Sequence, residues 1–315
     1  MQVINYRYPD NINLSGSTAV ALGFFDGVHS GHRRLIELLV REAKKNGLLP
    51  CVMTFTENLL LSKNKSTLIY NTEDKLRIFE ELGIEITFLV DFSSISELSA
   101  DEFVREVLVK SFLTSLAISG YNFRFGKRAS GNADTLTSLM REYGGEAMIL
   151  EEQIMLGSPI SSTRIRELIN KGEVDEAGKL LGTPYFIHGV VERGLGLGKA
   201  YGFPTVNMPI NDNSPLRSGV YRTAVKIGSK LYTGITNVGT CPTIETRAVH
   251  AETMIADFDE DIYGEEIYVY FLGYLREERK FGSVAELREQ IYADKERAIK
   301  ENGDLLWLAT GLSLQ

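Results

Sequence analysis

The chain is short of the residues that staple, anchor or electrostatically load a fold. Its 315 residues include two cysteines, Cys51 in an apolar run and Cys241 in a Gly-Thr-Cys-Pro turn. Neither has a second cysteine at ligand spacing, so a disulfide framework and a cysteine metal site are not expected, and a reducing compartment is. Basic charge is in deficit: 34 Lys and Arg stand against 42 Asp and Glu, a net charge of −8. A protein living on phosphate-backbone electrostatics would show the opposite balance, so nucleic acid is not an expected partner. No apolar run is long enough to span a bilayer. The N-terminal MQVINYRYPD lacks a basic stretch followed by an apolar one, so neither a signal peptide nor a membrane partner is expected, and the expected location is cytoplasmic. Repeats and low-complexity segments are absent.

What remains is ordinary globular composition, 43% hydrophobic and 24% charged, at a length that suits two domains. In the first half, apolar runs alternate with helical periodicity. Strands are expected at Thr18–Phe24, Leu49–Phe55, Ile86–Val90, Leu116–Gly120 and Glu146–Leu150. Helices are expected at 31–46, 71–82, 100–111, 133–143 and 162–171. That rhythm predicts an α/β, Rossmann-like domain: a parallel sheet covered by helices, binding ligands at the carboxyl ends of its strands. Near Gly182-Thr183-Pro184 the rhythm changes. Runs of strand composition separated by Gly, Pro and Asn (186–191, 221–227, 230–237, 250–257, 266–275) predict an antiparallel β-barrel, closed by a helix over 284–300. The expected domains are 1–182 and 183–315.

Two stretches carry chemistry. Gly23-Phe24-Phe25-Asp26-Gly27-Val28-His29-Ser30-Gly31-His32 joins the first strand to the first helix. Its glycines let backbone approach a phosphate, and the helix start offers free N–H groups and the positive end of the macrodipole. His29 and His32, three apart, present two imidazoles there. The plainer readings are a metal pair or incidental surface histidines; the preceding strand and Gly-Phe-Phe-Asp-Gly turn argue for a phosphate site. Far downstream, Ile160-Ser161-Ser162-Thr163-Arg164-Ile165-Arg166 precedes a helix. Ser and Thr there could be mere caps, but caps do not call for two arginines.

In the second half, a glycine-rich run ending Gly198-Lys199-Ala200-Tyr201-Gly202-Phe203-Pro204-Thr205-Val206-Asn207 does not lead into a helix, which excludes a dinucleotide fingerprint. Thr205 and Asn207, two apart, point the same way in extended backbone and offer hard oxygens suited to Mg²⁺ carried with ATP; the plainer reading is a polar turn. Glu252 lies on an expected strand. It could be a solvated surface carboxylate, or the base that a poorly nucleophilic hydroxyl needs for phosphoryl transfer.

His-x-Gly-His followed by Ile-Ser-Ser-Thr-x-Ile-Arg resembles nucleotidyltransferases related to class I aminoacyl-tRNA synthetases. Gly120-Tyr-Asn-Phe-Arg-Phe-Gly126, the Gly-Phe-Pro-Thr-x-Asn run, Gly239-Thr-Cys-Pro242, the Glu252 strand and Leu275-Arg276-x4-Phe281 follow in order. Together they are similar to prokaryotic bifunctional riboflavin kinase/FAD synthetases over about Val20 to Ala298. The resemblance implies phosphorylation of riboflavin to FMN in the second half and adenylylation of FMN to FAD in the first, with ATP and Mg²⁺ and small-molecule partners only. It implies that His29 and His32 stabilise phosphates, and that Gly23, Phe25, Gly31, Ser161, Ser162, Thr163, Arg166, Gly198 and Lys199 line ATP. Asn122, Phe123, Phe125, Asn58 and Arg276 would meet flavin, with core packing left open for the two phenylalanines. Thr205 and Asn207 would hold the metal, and Glu252 would be the base. One stretch departs: where the family carries a Thr-Phe-x-Pro-His-Pro run, this chain has Thr54-Phe55-Thr56-Glu57-Asn58-Leu59, with Asn58 in the histidine's place. An enzyme with one active half, or a flavin-binding regulator, is the alternative that this departure raises.

Overall fold

The computed structural model describes residues 1–56, 67–193, 203–211, 213–240, 249–303, 305 and 308. By its contacts the chain divides into two units, Met1–Ser66 with Tyr70–Ser161, and Thr67–Ile69 with Ser162–Gln315.

The first unit is built on strands β1 (Gln2–Tyr6), β2 (Thr18–Leu22), β3 (Leu49–Phe55), β4 (Ile86–Val90), β5 (Thr114–Gly120) and β6 (Glu146–Leu150). They form one sheet in the order β1-β4-β3-β2-β5-β6, every neighbouring pair parallel. Parallel neighbours need long crossovers. Helices α1 (Ser30–Asn46), α2 (Thr72–Glu81), α3 (Ala100–Glu102, running on as a wider π-type helix over Phe103–Ser111) and α4 (Ala133–Glu142) supply them. β2 reads Thr-Ala-Val-Ala-Leu and is buried throughout, as a central strand covered on both faces must be. Its Val20 and Leu22 join Met53, Phe88, Phe103, Val107, Phe112 and Met140 in one apolar cluster. Ala19 and Ala21 point to the opposite face, where α1 packs on β2 and β3 with Leu35, Ile36 and Leu39 buried. Cys51 of β3 is fully buried, its thiol directed at the Leu49 carbonyl 3.4 Å away. After β6, a small hairpin pairs β7 (Ile154–Met155) with β8 (Ser158–Pro159).

Because β2 lies between β3 and β5, the chain leaves its carboxyl end towards one side of the sheet and later returns on the other. Such a reversal opens a crevice beyond the strand ends. The segments that follow β2 and β5 both emerge there.

The second unit begins with α5 (Ser162–Lys171) and α6 (Val174–Leu181), which pack on each other and, through α6, on the barrel. The unit boundary therefore falls at Ser161/Ser162, ahead of the Gly182-Thr183-Pro184 stretch. Six antiparallel strands follow: β9 (Phe186–Val190), β10 (Thr205–Pro209), β11 (Gly219–Ile227), β12 (Lys230–Thr240), β13 (Val249–Ile255) and β14 (Glu266–Arg276), in the order β10-β13-β12-β11-β14-β9. The two end strands meet through an isolated antiparallel bridge between Glu192 and Asn207, whose Glu192 N–H donates to the Asn207 carbonyl at 2.8 Å. That contact brings the sheet round into a nearly closed barrel. Inside it, the hydroxyls of Thr223, Thr236 and Thr253 form a buried chain with 2.9 Å steps. Outside, α7 (Val284–Asn302) covers Val220, Ile235 and Met254 with Ala298 and Ile291. Its last turn is tied down by Asn302, which donates to the Thr223 carbonyl and accepts from Arg222.

Candidate active sites

In the first unit, the loop leaving β2 is tightly wound. Phe25, Gly27 and Val28 all take left-handed backbone, with φ of 54°, 78° and 38°. A non-glycine residue in that region costs on the order of 1–2 kcal/mol, so the surroundings must hold it. Phe25 is buried edge-on against Phe79 and His32, at ring-centroid distances of 5.7 and 5.1 Å. The Phe24 carbonyl accepts from Thr54 Oγ1 at 2.9 Å and from Lys75 Nζ at 3.5 Å, while the ammonium sits 4.5 Å from the Phe24 ring centroid. Gly23 is tightly packed: a Cβ would stand 3.0 Å from the Phe25 ring, which would have to give way. The Phe25 ring is thus part of the packing, which leaves only its backbone to face a ligand.

That loop delivers His29 as the N-cap of α1, with its Nδ1 accepting from the His32 N–H at 3.3 Å. Since Nδ1 accepts, the neutral ring carries its proton on Nε2 and can donate from there. The two imidazoles stack 3.6 Å apart and 14° from parallel. Gly31 makes this possible, because a Cβ there would already stand 3.3 Å from His29 Nδ1. Burial lowers the His29 pKa from 6.5 to about 4. It lowers that of His32 well below the ordinary value, helped by the charges of His29 and Lys75. Both rings are therefore neutral near pH 7. They lie at a helix N-terminus, where anions are favoured. His32 Nδ1 is shut off from water and has no partner among the described residues.

From β5 the chain passes to Tyr121, bonded to the Glu152 carboxylate, and to exposed Asn122. Half-buried Phe123 stacks on Phe125 with centroids 5.6 Å apart. Phe125 itself belongs to the core and is bridged to Gly131, where a Cβ would lie 2.7 Å from its ring. Of the two phenylalanines only Phe123 keeps a partly open ring. On the far side, Gln153 accepts from Arg34 of α1 at 2.7 Å. Of the Ser-Ser-Thr-Arg run, Ser161 ends the first unit, and Ser162, Thr163 and Arg166 lie in the first turns of α5. Thr163 is exposed and the others are half-buried. Asn58, Gly198, Lys199 and Cys241 lie outside the described residues.

The second unit places its candidates by register. Asn207 of β10 is directly opposite Glu252 of β13, and Glu252 is directly opposite Asn237 of β12. Directly opposed residues share a face with Cβ atoms about 5 Å apart. Thr205, two residues before Asn207, is on that face too. The bridge adds Glu192 next to Asn207, so the row runs Glu192, Asn207, Glu252, Asn237. Beyond β14, Glu278 accepts from Asn237 Nδ2 at 2.9 Å. The Glu252 side chain is exposed, with Asn207 and Asn237 as its cross-strand neighbours.

Arg276, expected at the flavin, is held by the closing helix. Its Nε and Nη2 grip Asp294 of α7 at 3.0 and 2.9 Å, and its Nη1 donates to the Glu277 carbonyl. Through Asp294 the guanidinium clamps the closing helix to the barrel. Sequence reasoning passed over Asn237, Glu278, Glu192 and Lys75. The first three are joined by strand pairing and a loop contact, which spacing does not reveal. Lys75 is a fully buried lysine in a helix whose sequence looks amphipathic.

Comparisons with known proteins match each half of the chain to a family. Residues 12–164 match the FAD synthetase family and residues 181–301 the riboflavin kinase family. A bifunctional riboflavin kinase/FMN adenylyltransferase from Bacillus subtilis (strain 168) is 32% identical over 95% of this chain and 98% of that protein. One of the same name from Escherichia coli (strain K12) is 33% identical over 88% of this chain and 90% of its own length. A crystal structure titled as a macrolide-efflux protein from Streptococcus pneumoniae superposes with a TM-score of 0.85 at 33% identity, covering 96% of this chain and all of that one. Among the described residues no helix is long and apolar enough to cross a membrane. With two family matches in tandem and relatives matched along nearly their whole length, the chain belongs to the bifunctional riboflavin kinase/FMN adenylyltransferase family and is a transferase of that kind.

Proposed function

We propose that the two reactions are divided between domains 1–182 and 183–315 and run in sequence. In the second, riboflavin and ATP give FMN and ADP. In the first, FMN and a further ATP give FAD and pyrophosphate. The observation that carries the kinase assignment is Glu252 standing directly across from Asn207. Glu252 takes the proton of the terminal ribityl hydroxyl as its oxygen attacks the γ-phosphorus, and the bond to ADP breaks. Thr205 and Asn207 offer a hydroxyl and an amide oxygen on one face, a donor set of hard oxygens that fits Mg²⁺. That ion, when bound, neutralises phosphate charge.

In the adenylyl step a phosphate oxygen of FMN attacks the α-phosphorus of ATP and pyrophosphate leaves. The nucleophile is already an anion, so no base is required and positioning suffices. Neutral His29 and His32 donate hydrogen bonds to the phosphates as charge builds on them. Gly23, Gly31 and the backbone of Phe25 line the same loop. Ser161, Ser162, Thr163 and Arg166 hold phosphate oxygens, and Asn122 and Phe123 face the flavin. Gly198 and Lys199 are assigned to ATP, and Asn58 to the flavin site, on the resemblance alone. The protein works in the cytoplasm on small molecules, without nucleic acid or membrane.

Incubation of the purified chain with ATP and Mg²⁺, once with riboflavin and once with FMN, followed by chromatography of the flavins, tests this. FMN and then FAD from riboflavin, with FAD from FMN, is the expected result. FMN alone would mean the adenylyl site is silent. FAD only from supplied FMN would mean the kinase is.

A further inference from the structure

The row that contains Glu192, Asn207, Glu252 and Asn237 alternates carboxylates with carboxamides. Glu252 has an amide on each side. Asn207 is already accounted for as a metal ligand, and Asn237 is not used by the mechanism at all. Its Nδ2 donates to Glu278 Oε1 at 2.9 Å, and its Oδ1 is buried with no partner among the described residues. A primary amide carries two N–H groups. With one on Glu278, the second remains for the carboxylate on its other side, and that is Glu252. The amide cannot reverse without bringing its carbonyl oxygen against a carboxylate. Gly239 completes the arrangement, because a Cβ on it would overlap the Glu278 carboxylate.

We infer that Asn237 is the positioning residue of the Glu252 carboxylate, and that Glu278 holds Asn237 in place. The inference rests on the reading of Glu252 as the kinase base. A neutral donor suits that task. A lysine or arginine in the same place would orient the carboxylate too, but would also stabilise its charged form and weaken it as a proton acceptor. Among the described residues, the charged and titratable groups on this face include Glu192, His250 on the same strand as Glu252, Glu278, Arg276 with its partner Asp294, and Arg222 with its partner Glu301. Arg276 shares the row through Val220 and is already neutralised by Asp294. No lysine is paired with Glu252 in either ladder.

The full chain supplies its own control, since FMN adenylylation in the other half reports that a variant is folded. Asn237→Ala should lower kcat for riboflavin phosphorylation by about tenfold or more, the scale of a misplaced catalytic group. The KM values for riboflavin and ATP should stay within about twofold, as expected for an interaction used in the transition state. Asn237→Asp puts a second carboxylate beside Glu252 and should move the acid limb of the kcat profile to higher pH, which a merely structural role would not do. Glu278→Gln and Gly239→Ala should give smaller losses in the same direction. In a Glu252→Gln background, with its residual rate, Asn237→Ala should cost nothing further. An Asn237→Ala enzyme with wild-type kcat, or one whose loss is undiminished in the Glu252→Gln background, overturns the inference. If Glu252→Gln itself keeps full kinase activity, it is the base assignment that fails, and the positioning role falls with it.

Discussion

The stacked histidines make the first unit acid-sensitive in a way that can be worked out from burial. An imidazole whose pKa is 6.5 in the unfolded chain and about 4 in the folded one binds fewer protons when folded. Stability from this source is complete above pH 6.5 and is lost as pH falls towards 4, below which it no longer changes. The drop corresponds to about 3 kcal/mol for His29 alone. His32 acts in the same direction. A loss of that size is a large fraction of a domain's stability, on the order of 5–15 kcal/mol. Replacing His29 by Asn keeps a helix-capping side chain and removes the titration. Hydrogen exchange of peptides covering β2 and α1, corrected for the intrinsic rate at each pH, should show opening free energy falling between pH 6.5 and 4 in the wild type. The fall should be about 3 kcal/mol shallower in His29→Asn. Equal slopes in the two proteins would refute the reasoning and mean that His29 titrates normally in the fold.

Three further outcomes are expected. Glu252→Gln should abolish most riboflavin phosphorylation and spare FMN adenylylation, while His32→Ala should do the reverse; parallel loss of both activities in either variant would sink the assignment of separate centres. Gly131→Ala forces a Cβ to within 2.7 Å of the Phe125 ring and should destabilise the first unit by about 1–3 kcal/mol, read from its urea midpoint. Asp294→Ala strands the Arg276 guanidinium, four-fifths buried, and should cost about 3 kcal/mol, seen as accelerated hydrogen exchange in α7.

Much of this architecture was written in local pattern. β3, β4 and β6 span the expected residues, as does α5, because each is bounded by turn-forming residues and its apolar content has one period. β1 was missed because it is an edge strand, and edge strands need no continuous apolar run; its Val3 is exposed. β10 was missed because Pro204 and the polar Thr205 and Asn207 make a five-residue strand look like a turn. α6 was missed because only eight residues separate its neighbouring breaks at Gly172–Glu173 and Gly182. The π-type stretch over Phe103–Ser111 keeps a helical apolar pattern, so nothing in the sequence marks its wider turns. In the sites, local spacing was enough to bring His29 and His32 together. The partners of Glu252 were out of reach, since Asn207 and Asn237 approach it through two strand pairings 45 and 15 residues away in the chain.

The thiol of Cys51 offers a last consequence. It lies in the middle of the parallel sheet, and burial, with the nearby charge of Glu85, pushes its pKa up to about 12. A protonated, enclosed sulfur is invisible to alkylating reagents, which attack thiolate. Its labelling can proceed only through moments when β3 is exposed, so the labelling rate is a clock for the opening of the nucleotidyltransferase sheet. Ligands that bind the crevice beyond β2 should slow that clock in proportion to their occupancy. FMN and ATP affinities would thereby be readable from a core residue that touches neither.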